Sequence, residues 1–279
     1  MVGKFTEFVF NEIMSMIQFN INRFGRLLKW TMVQDRAYYK KSFLQILAVM
    51  LLAFIFFLFI TNYGNGDALR NFNQGYKIAA GMLLFVVAGA TVLGPCSMFH
   101  SMSGKHDRQN LMLIPASNFE KYLVRYMSWI LMLPIWVVAI LLADVLQYVI
   151  HVVLGYEYYQ FVVVKFVDLI EYLMNSLQYA PKYLMLSLAI VGIWLHSVYA
   201  LGATFFRSRK FSFVYSTFAW IAVTILLSWL FPNWTLGKEH LPEVYLVGNV
   251  INIIWTIVNF WLSYVVFCRT QVIGKFVNL

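Results

Sequence analysis

Six long apolar runs dominate the chain and restrict it to a membrane fold. They cover residues 43–60, 78–99, 127–149, 184–206, 211–231 and 250–268. A helix rises about 1.5 Å per residue, so about 20 residues cross a hydrocarbon core roughly 30 Å thick. Polar and apolar residues do not alternate within the runs, which argues against transmembrane β-strands. The sequence therefore predicts an all-α integral membrane protein with six transmembrane helices.

The positions of Lys and Arg predict how these helices are oriented. Sixteen of the 21 basic residues lie before the first run or after the second, fourth and sixth runs. In membrane proteins, the loops that remain in the cytoplasm carry an excess of Lys and Arg. Both termini are therefore predicted to be cytoplasmic. This orientation, with attraction to anionic membrane lipids, accounts for the net charge of +9 without any binding of nucleic acid.

Residues 1–41 precede the first run and are predicted to form a separate element. Their polar residues recur at a spacing close to that of a helix, at Lys4, Glu7, Asn11, Ser15, Gln18, Asn22, Arg26 and Lys29. We expect an amphipathic helix in the cytoplasmic membrane interface, or alternatively a helix that packs on a soluble partner. Residues 42–279 would then form a single transmembrane domain, whose external segment 155–182 holds a further amphipathic helix.

The cytoplasmic segment 103–126 breaks the apolar pattern between the second and third runs. Asp107 can cap a short helix that Pro115 must end. Such a helix would present Arg108 and Leu111 to a soluble partner.

A second short helix is predicted to follow the proline and to run directly into the third span. Ser117 and Glu120 have the spacing of a capping box, in which each side chain accepts from the other residue's backbone N–H. This helix would carry Lys121 and Arg125 on one side. The alternative is that these cations are ordinary cytoplasmic flanking charges on an interfacial helix.

Two ionisable residues fall inside predicted spans. Asp144 lies in the outer half of the third span and His196 near the middle of the fourth. Such residues are costly in a bilayer unless they have partners. They could form a proton relay or contact a substrate, or they could join helices by hydrogen bonds.

Enzyme and cofactor sites are not indicated. Cys96, His100 and His106 lie close together in sequence but lack a fourth metal ligand. The chain has neither a phosphate-binding loop nor a nucleophile elbow. We therefore expect no cofactor on this chain, and any ATP that drives it must bind to another subunit.

Two runs resemble a known family. DRQNLMLIPASNFEKYLVR is similar to the segment between spans two and three of ABC-2 type transporter permeases, and more so to a Bacteroidetes branch with a Leu-Pro-x-Ser-x-x-Glu-Lys pattern. Ile114 replaces the usual Leu of that pattern. LHSVYALGATFFRSRKF resembles the fourth span of the same branch and its cytoplasmic exit, including Gly202. The resemblance extends over nearly the whole chain.

This resemblance implies a permease subunit of an exporter in the bacterial inner membrane. It would pair with a second permease copy, and an ATP-binding subunit would dock on the 103–126 loop. The residues implied in coupling to the ATPase or in ordering the loop are Arg108, Leu111, Pro115, Ser117, Glu120, Lys121 and Arg125. Asp144 and His196 are the candidates for the transport path.

Other functions fit the same composition. An ion-coupled secondary transporter would use Asp144 and His196 for proton movement. A non-transporting sensor or scaffold would need neither residue. A membrane enzyme would need nucleophiles or metal ligands that converge at one depth, and the sequence offers none.

Overall fold

The computed structural model describes residues 19–62, 68–100, 109–111, 113–155, 159–179, 181–206, 212–230 and 241–269. Within these ranges the chain is helical and has no β-strand, so the predicted all-α class is confirmed there. We number the helices α1 (Ile21–Gln34), α2 (Arg36–Asn62), α3 (Ala68–Leu93), α4 (Asn118–Ile130), α5 (Met132–Val153), α6 (Val162–Gln178), α7 (Lys182–Phe205), α8 (Ser212–Leu230) and α9 (Leu241–Cys268). A 3-10 helix, Gly94–Ser97, follows α3.

Five helical segments among the described residues are long and apolar enough to cross a membrane. They are Arg36–Phe59, Asn73–Ser97, Asn118–Val153, Lys182–Phe205 and Tyr245–Cys268. Each overlaps one of the predicted apolar runs. At the position of the fifth predicted run, the described part contains a shorter apolar helix, Ser212–Leu226. The chain is therefore a multi-pass membrane protein.

Helix α1 is the described part of the predicted amphipathic element, whose first 18 residues lie outside the described ranges. Its first turn is capped by the Asn20 side chain, which accepts from two backbone N–H groups at 3.0 and 3.1 Å. Asn22, Arg26 and Lys29 are exposed as the spacing predicts, and Leu27 is buried. The helical period was thus correct for this part.

The third predicted span is interrupted close to its start. We expected the helix after Pro115 to continue directly into this span, but α4 ends at Ile130 and α5 begins at Met132. Pro134 explains the break, since its ring lacks an N–H and crowds the carbonyl of Ile130 four residues earlier. A continuous Asn118–Val153 helix would be about 54 Å long, longer than the roughly 30 Å core. The polar end, α4, must therefore extend outside the core.

The chain divides into two compact units. Unit 1 comprises Met1–Asp35, Thr91–Ile130 and Leu186–Leu279, and unit 2 comprises Arg36–Ala90 and Leu131–Met185. The core of unit 2 is formed by Met50, Phe54, Leu58, Tyr76, Ala79, Leu83, Ile140, Ala143 and Val162. These residues come from α2, α3, α5 and the start of α6, so apolar packing joins those four helices.

Two glycines in unit 1 lie where a neighbouring group approaches closely. A Cβ at Gly202 of α7 would overlap the Ser216 side chain of α8, and one at Gly94 would overlap the Trp129 indole. Gly192 on the same helix as Gly202 has no such neighbour within 4 Å. The absence of a side chain at Gly202 and Gly94 is therefore what permits these contacts.

Candidate functional site

Helix α4 carries three of the seven residues implied in coupling to an ATPase, namely Glu120, Lys121 and Arg125. Within unit 1 it is hydrogen-bonded to three other helices: to α1 through Glu120, to α9 through Tyr122 and to α7 through Tyr126. Helix α4 is therefore bonded to other helices along much of its length.

The predicted capping box is present at the start of α4. Ser117 Oγ accepts from the backbone N–H of Glu120 at 3.2 Å, and Glu120 Oε2 accepts from the backbone N–H of Ser117 at 2.9 Å. Pro115 lies in the bend just before it and is exposed. The turn is thus fixed by local hydrogen bonds, as the sequence indicates.

Glu120 also holds the start of α1. Its Oε1 accepts from the backbone N–H of Asn20 at 2.8 Å, and Arg23 donates from Nε to Oε2 at 2.7 Å and from Nη2 to Oε1 at 2.9 Å. The carboxylate is fully buried, although the Arg23 side chain is 36% exposed. These hydrogen bonds raise the pKa of Arg23, which stays charged. We call the contacts of Glu120 with Asn20 and Arg23 the Glu120 clasp; a two-point, charge-assisted contact of this kind fixes orientation as well as distance.

A second ion pair joins the far end of α1 to α4. Arg125 Nη1 donates to Asp35 Oδ2 at 3.1 Å, and the two side chains are 1% and 6% exposed. Asp35 is the residue that ends α1. Lys121 and Arg125, which are predicted to share one side of this helix, are both buried and do not form an exposed basic face. The charge of Arg125 is directed at α1 instead.

The loop before α4 differs from the prediction at Leu111. Leu111 is 1% exposed, whereas Leu113 is 81% exposed. Residues 109–111 and 113 are helical, and two residues along a helix correspond to about 200° of rotation, which places these leucines on opposite sides. Leu113 is thus the apolar side chain at the surface. Arg108 and the predicted cap Asp107 lie outside the described residues.

The contact between α4 and α9 is aromatic and polar. Tyr122 donates its hydroxyl hydrogen to Ser263 Oγ at 2.9 Å. Its ring lies 5.6 Å from that of Tyr264 and 5.7 Å from that of Phe267. No local sequence pattern indicates this pairing, because Tyr122 and Ser263 are 141 residues apart.

His196 connects α7 to α4 and to the end of α3. Its Nδ1 lies 2.7 Å from the Thr91 carbonyl oxygen, and its Nε2 lies 2.6 Å from the Tyr126 hydroxyl. A carbonyl can only accept, so Nδ1 carries a hydrogen, and in the neutral form of the ring Nε2 accepts from the Tyr126 hydroxyl. The rings of Trp129 and Phe260 pack against it at 5.0 and 6.4 Å. These contacts favour the role of joining helices, and a transport role for His196 stays a prediction.

Asp144 belongs to unit 2 and caps helix α6. Its Oδ1 accepts from the backbone N–H of Val162 at 2.8 Å, and its Oδ2 accepts from that of Val163 at 3.0 Å. The side chain is 2% exposed. Phe161, at the cap position of α6, makes no side-chain capping bond, so the carboxylate of a distant residue takes that place, where the helix dipole favours negative charge.

Gln147 extends this polar cluster. Its Nε2 donates to Asp144 Oδ1 at 3.0 Å and to the Gln160 carbonyl at 3.0 Å. The Gln160 backbone N–H in turn donates to the Tyr76 hydroxyl at 3.3 Å. Asp144 is therefore held near the middle of α5 by several hydrogen bonds, which fits a packing role. Its proposed role in the transport path is a prediction that these contacts do not test.

Metal ligands do not cluster in the described part of the chain, where no group of three His, Cys, Asp or Glu could hold an ion. The Cys96 thiol donates to the Tyr199 carbonyl at 3.9 Å, and His106 lies outside the described residues. Comparisons of the chain with protein-family models, curated proteins and solved structures found no match. A functional assignment therefore depends on the residues and contacts above.

Proposed function

We propose that this chain is the membrane permease subunit of an ABC-type exporter and that a separate ATP-binding subunit docks on the 103–126 loop. The proposal rests on the resemblance of DRQNLMLIPASNFEKYLVR to ABC-2 type permeases. The observation that supports it best is the position of α4. This helix continues the loop, is tied to α1 by two ion pairs and contacts α7 and α9.

The mechanism follows from these contacts. A displacement of the loop by the ATPase would move α4, and α1 would move with it because both of its ends are paired to α4. Tyr122 and Tyr126 would pass the movement to α9 and α7. Packed helices shift as units rather than deforming continuously. ATP hydrolysis would in this way change access to a path between membrane helices, with no catalytic residue on this chain.

The topology proposed for this permease has six spans with both termini in the cytoplasm. Helix α8 supplies the additional span: its 19 residues would measure about 28 Å, close to the thickness of the hydrocarbon core. The distribution of Lys and Arg supports this orientation in the bacterial inner membrane. Two copies, or two related chains, would form the transport path.

Each site residue has a distinct proposed role. Arg108 and Leu113 would meet the ATPase, while Leu111 would hold the loop helix against the chain. Pro115, Ser117 and Glu120 would fix the start of α4, and Lys121 and Arg125 would help to attach it. Asp144 and His196 would stabilise the helices that border the path.

Co-purification and ATPase assays test this proposal. The full chain would be purified from its native membrane in mild detergent, and ATP hydrolysis by the preparation measured before and after reconstitution into liposomes. Leu113→Asp should remove most of the bound ATPase, because it places a charge on an exposed apolar contact. Leu154→Asp, at an exposed leucine just after α5, is the matched control and should keep it. Full transport driven by a proton gradient, with no ATPase present, would refute the proposal.

A further inference from the structure

An open groove in unit 2 lies between the first turns of α2 and α5. It has a volume of about 370 Å³ and is lined by Tyr39, Lys40, Phe43, Leu44 and Ile135. We call it the Lys40 groove. Its volume is within the range of small-molecule sites, roughly 300–1,000 Å³. The four residues from α2 have the spacing of one helix face, so the groove follows the axis of that helix.

The two helices that form the groove are held together beside it. Trp136 Nε1 donates to Ser42 Oγ at 2.8 Å, which joins α5 to α2. Trp136 directly follows Ile135, and Ser42 directly precedes Phe43. The hydrogen bond therefore fixes both walls of the groove beside the residues that line it. Leu44 is 61% exposed, and the groove is open at its surface. An elongated apolar group could therefore enter from the side.

Positive charge is concentrated at the end of the groove where α2 begins. Arg36 and Lys40 are four residues apart and thus on the same helix face, and both are exposed. The groove walls are apolar, so the methylene stem of Lys40 lines the groove and its ammonium group lies at the rim, as long cationic side chains do at membrane surfaces. The Lys40 groove therefore combines apolar walls with two cationic side chains at one end.

We infer that the Lys40 groove binds an anionic glycerophospholipid, with its phosphate at Lys40 and an acyl chain along Phe43, Leu44 and Ile135. Free inorganic phosphate would gain nothing from the apolar walls, and a zwitterionic lipid would gain less from the two cations. The site is independent of the proposed transport function, because neither an ATPase nor a transported substrate takes part.

Native mass spectrometry tests the headgroup contact. Delipidated full-length protein is titrated separately with phosphatidylglycerol and with phosphatidylcholine of the same acyl chains, and the dissociation constant of the first adduct is measured. We expect tighter binding of phosphatidylglycerol, and Lys40→Gln should reduce that preference about fivefold, the effect of one charge at an anionic surface. Lys41→Gln is the matched control, because Lys41 is exposed on the same helix but is about 100° away around it. It should change the preference less than twofold.

A second pair of variants tests the apolar walls. Ile135→Trp should fill the groove and weaken the first adduct of both lipids, whereas Val138→Trp, at an exposed position on the same helix, should not. Any of three results would contradict lipid binding in the Lys40 groove. These are no preference for phosphatidylglycerol, an equal loss of that preference in Lys40→Gln and Lys41→Gln, or unchanged lipid binding in Ile135→Trp. Equal losses would show a diffuse basic band instead. If Ile135→Trp fails to fold, the lysine pair still decides.

Discussion

Glu120 combines a local and a long-range role in one side chain. It completes the capping box with Ser117, three residues away, and it accepts from Arg23, 97 residues away. Its two oxygens together face four donors: the backbone N–H groups of Asn20 and Ser117, and Nε and Nη2 of Arg23. Full burial of a carboxylate is acceptable here because it is paired and hydrogen-bonded.

Glu120→Gln should release α1 from α4. An amide has only one accepting oxygen, so in either orientation its NH₂ group would face two of the four donors. We expect hydrogen exchange of the α1 backbone amides to become at least about tenfold faster, as expected when charge-assisted hydrogen bonds are lost. Glu171→Gln, on an exposed part of α6, serves as the control. Unchanged exchange in α1 would mean that the Glu120 clasp does not hold this helix.

The buried pair of Asp35 and Arg125 should behave differently from a surface pair. Asp35→Leu or Arg125→Met alone leaves one buried charge without this partner and should destabilise unit 1 by about 3–5 kcal/mol, whereas the double variant should recover much of that loss. The exposed pair of Lys165 and Asp168 is the reference, with a coupling of at most about 1 kcal/mol. Thermal unfolding of the unchanged protein and the three variants in each cycle measures both couplings, and simple additivity at Asp35 and Arg125 would contradict the prediction.

These residues indicate what could be predicted from the sequence. The capping box of Ser117 and Glu120 was predictable because both partners lie within one turn. The partners of Arg125 and Asp144 were not, since they depend on the path of the chain. The sequence predicts Leu111 at the surface, but the structure buries it and exposes Leu113. The composition of a short helix does not show which leucine faces the protein.

At the scale of elements, α7 and α8 depend on a contact that has no room for a methyl group. Gly202→Ala would bring a Cβ into the side chain of Ser216. We expect a loss of about 1–3 kcal/mol, typical of overpacking, measured as a lower unfolding temperature. Gly192→Ala, on the same helix but with free space around it, should be neutral or slightly stabilising.

A compensating change identifies the cause of that loss. Ser216→Gly removes both atoms that the new methyl group would meet, so Gly202→Ala with Ser216→Gly should be less destabilised than the sum of the two single variants. If the two effects simply add, the close approach of α7 and α8 is not the reason. The sequence suggested Gly202 only through family resemblance, because close packing of this kind leaves no local pattern.

At the scale of the whole molecule, hydrophobicity predicted the membrane helices well because each is a continuous apolar run. It did not predict the break between α4 and α5, where Pro134 interrupts the run from within. Nor did it predict the division into two units, because that division depends on contacts between distant parts of the chain.

Reporter fusions test the proposed topology. Six spans with cytoplasmic termini predict that a cytoplasmic reporter is active at both ends of the chain, and that an external reporter is active when inserted after Tyr179, at the end of α6. If α8 does not cross the membrane, the two termini should report from opposite sides. That result would contradict six spans while leaving the five longer apolar helices in place.

The cap that Asp144 provides for α6 has a consequence for how the protein is made. Asp144 leaves the ribosome 18 residues before Val162, so its carboxylate emerges before the amides that bind it are free to pair with it. A lone Asp opposes insertion by at most about 2.5–3.5 kcal/mol, the cost at the centre of a span. Chains that end at residue 161 and continue into an inert polar linker should therefore insert α5 less efficiently than chains that end at residue 179 and carry the same linker, and Asp144→Leu should abolish the difference. Helix α6 would then stabilise a span that has already entered the bilayer.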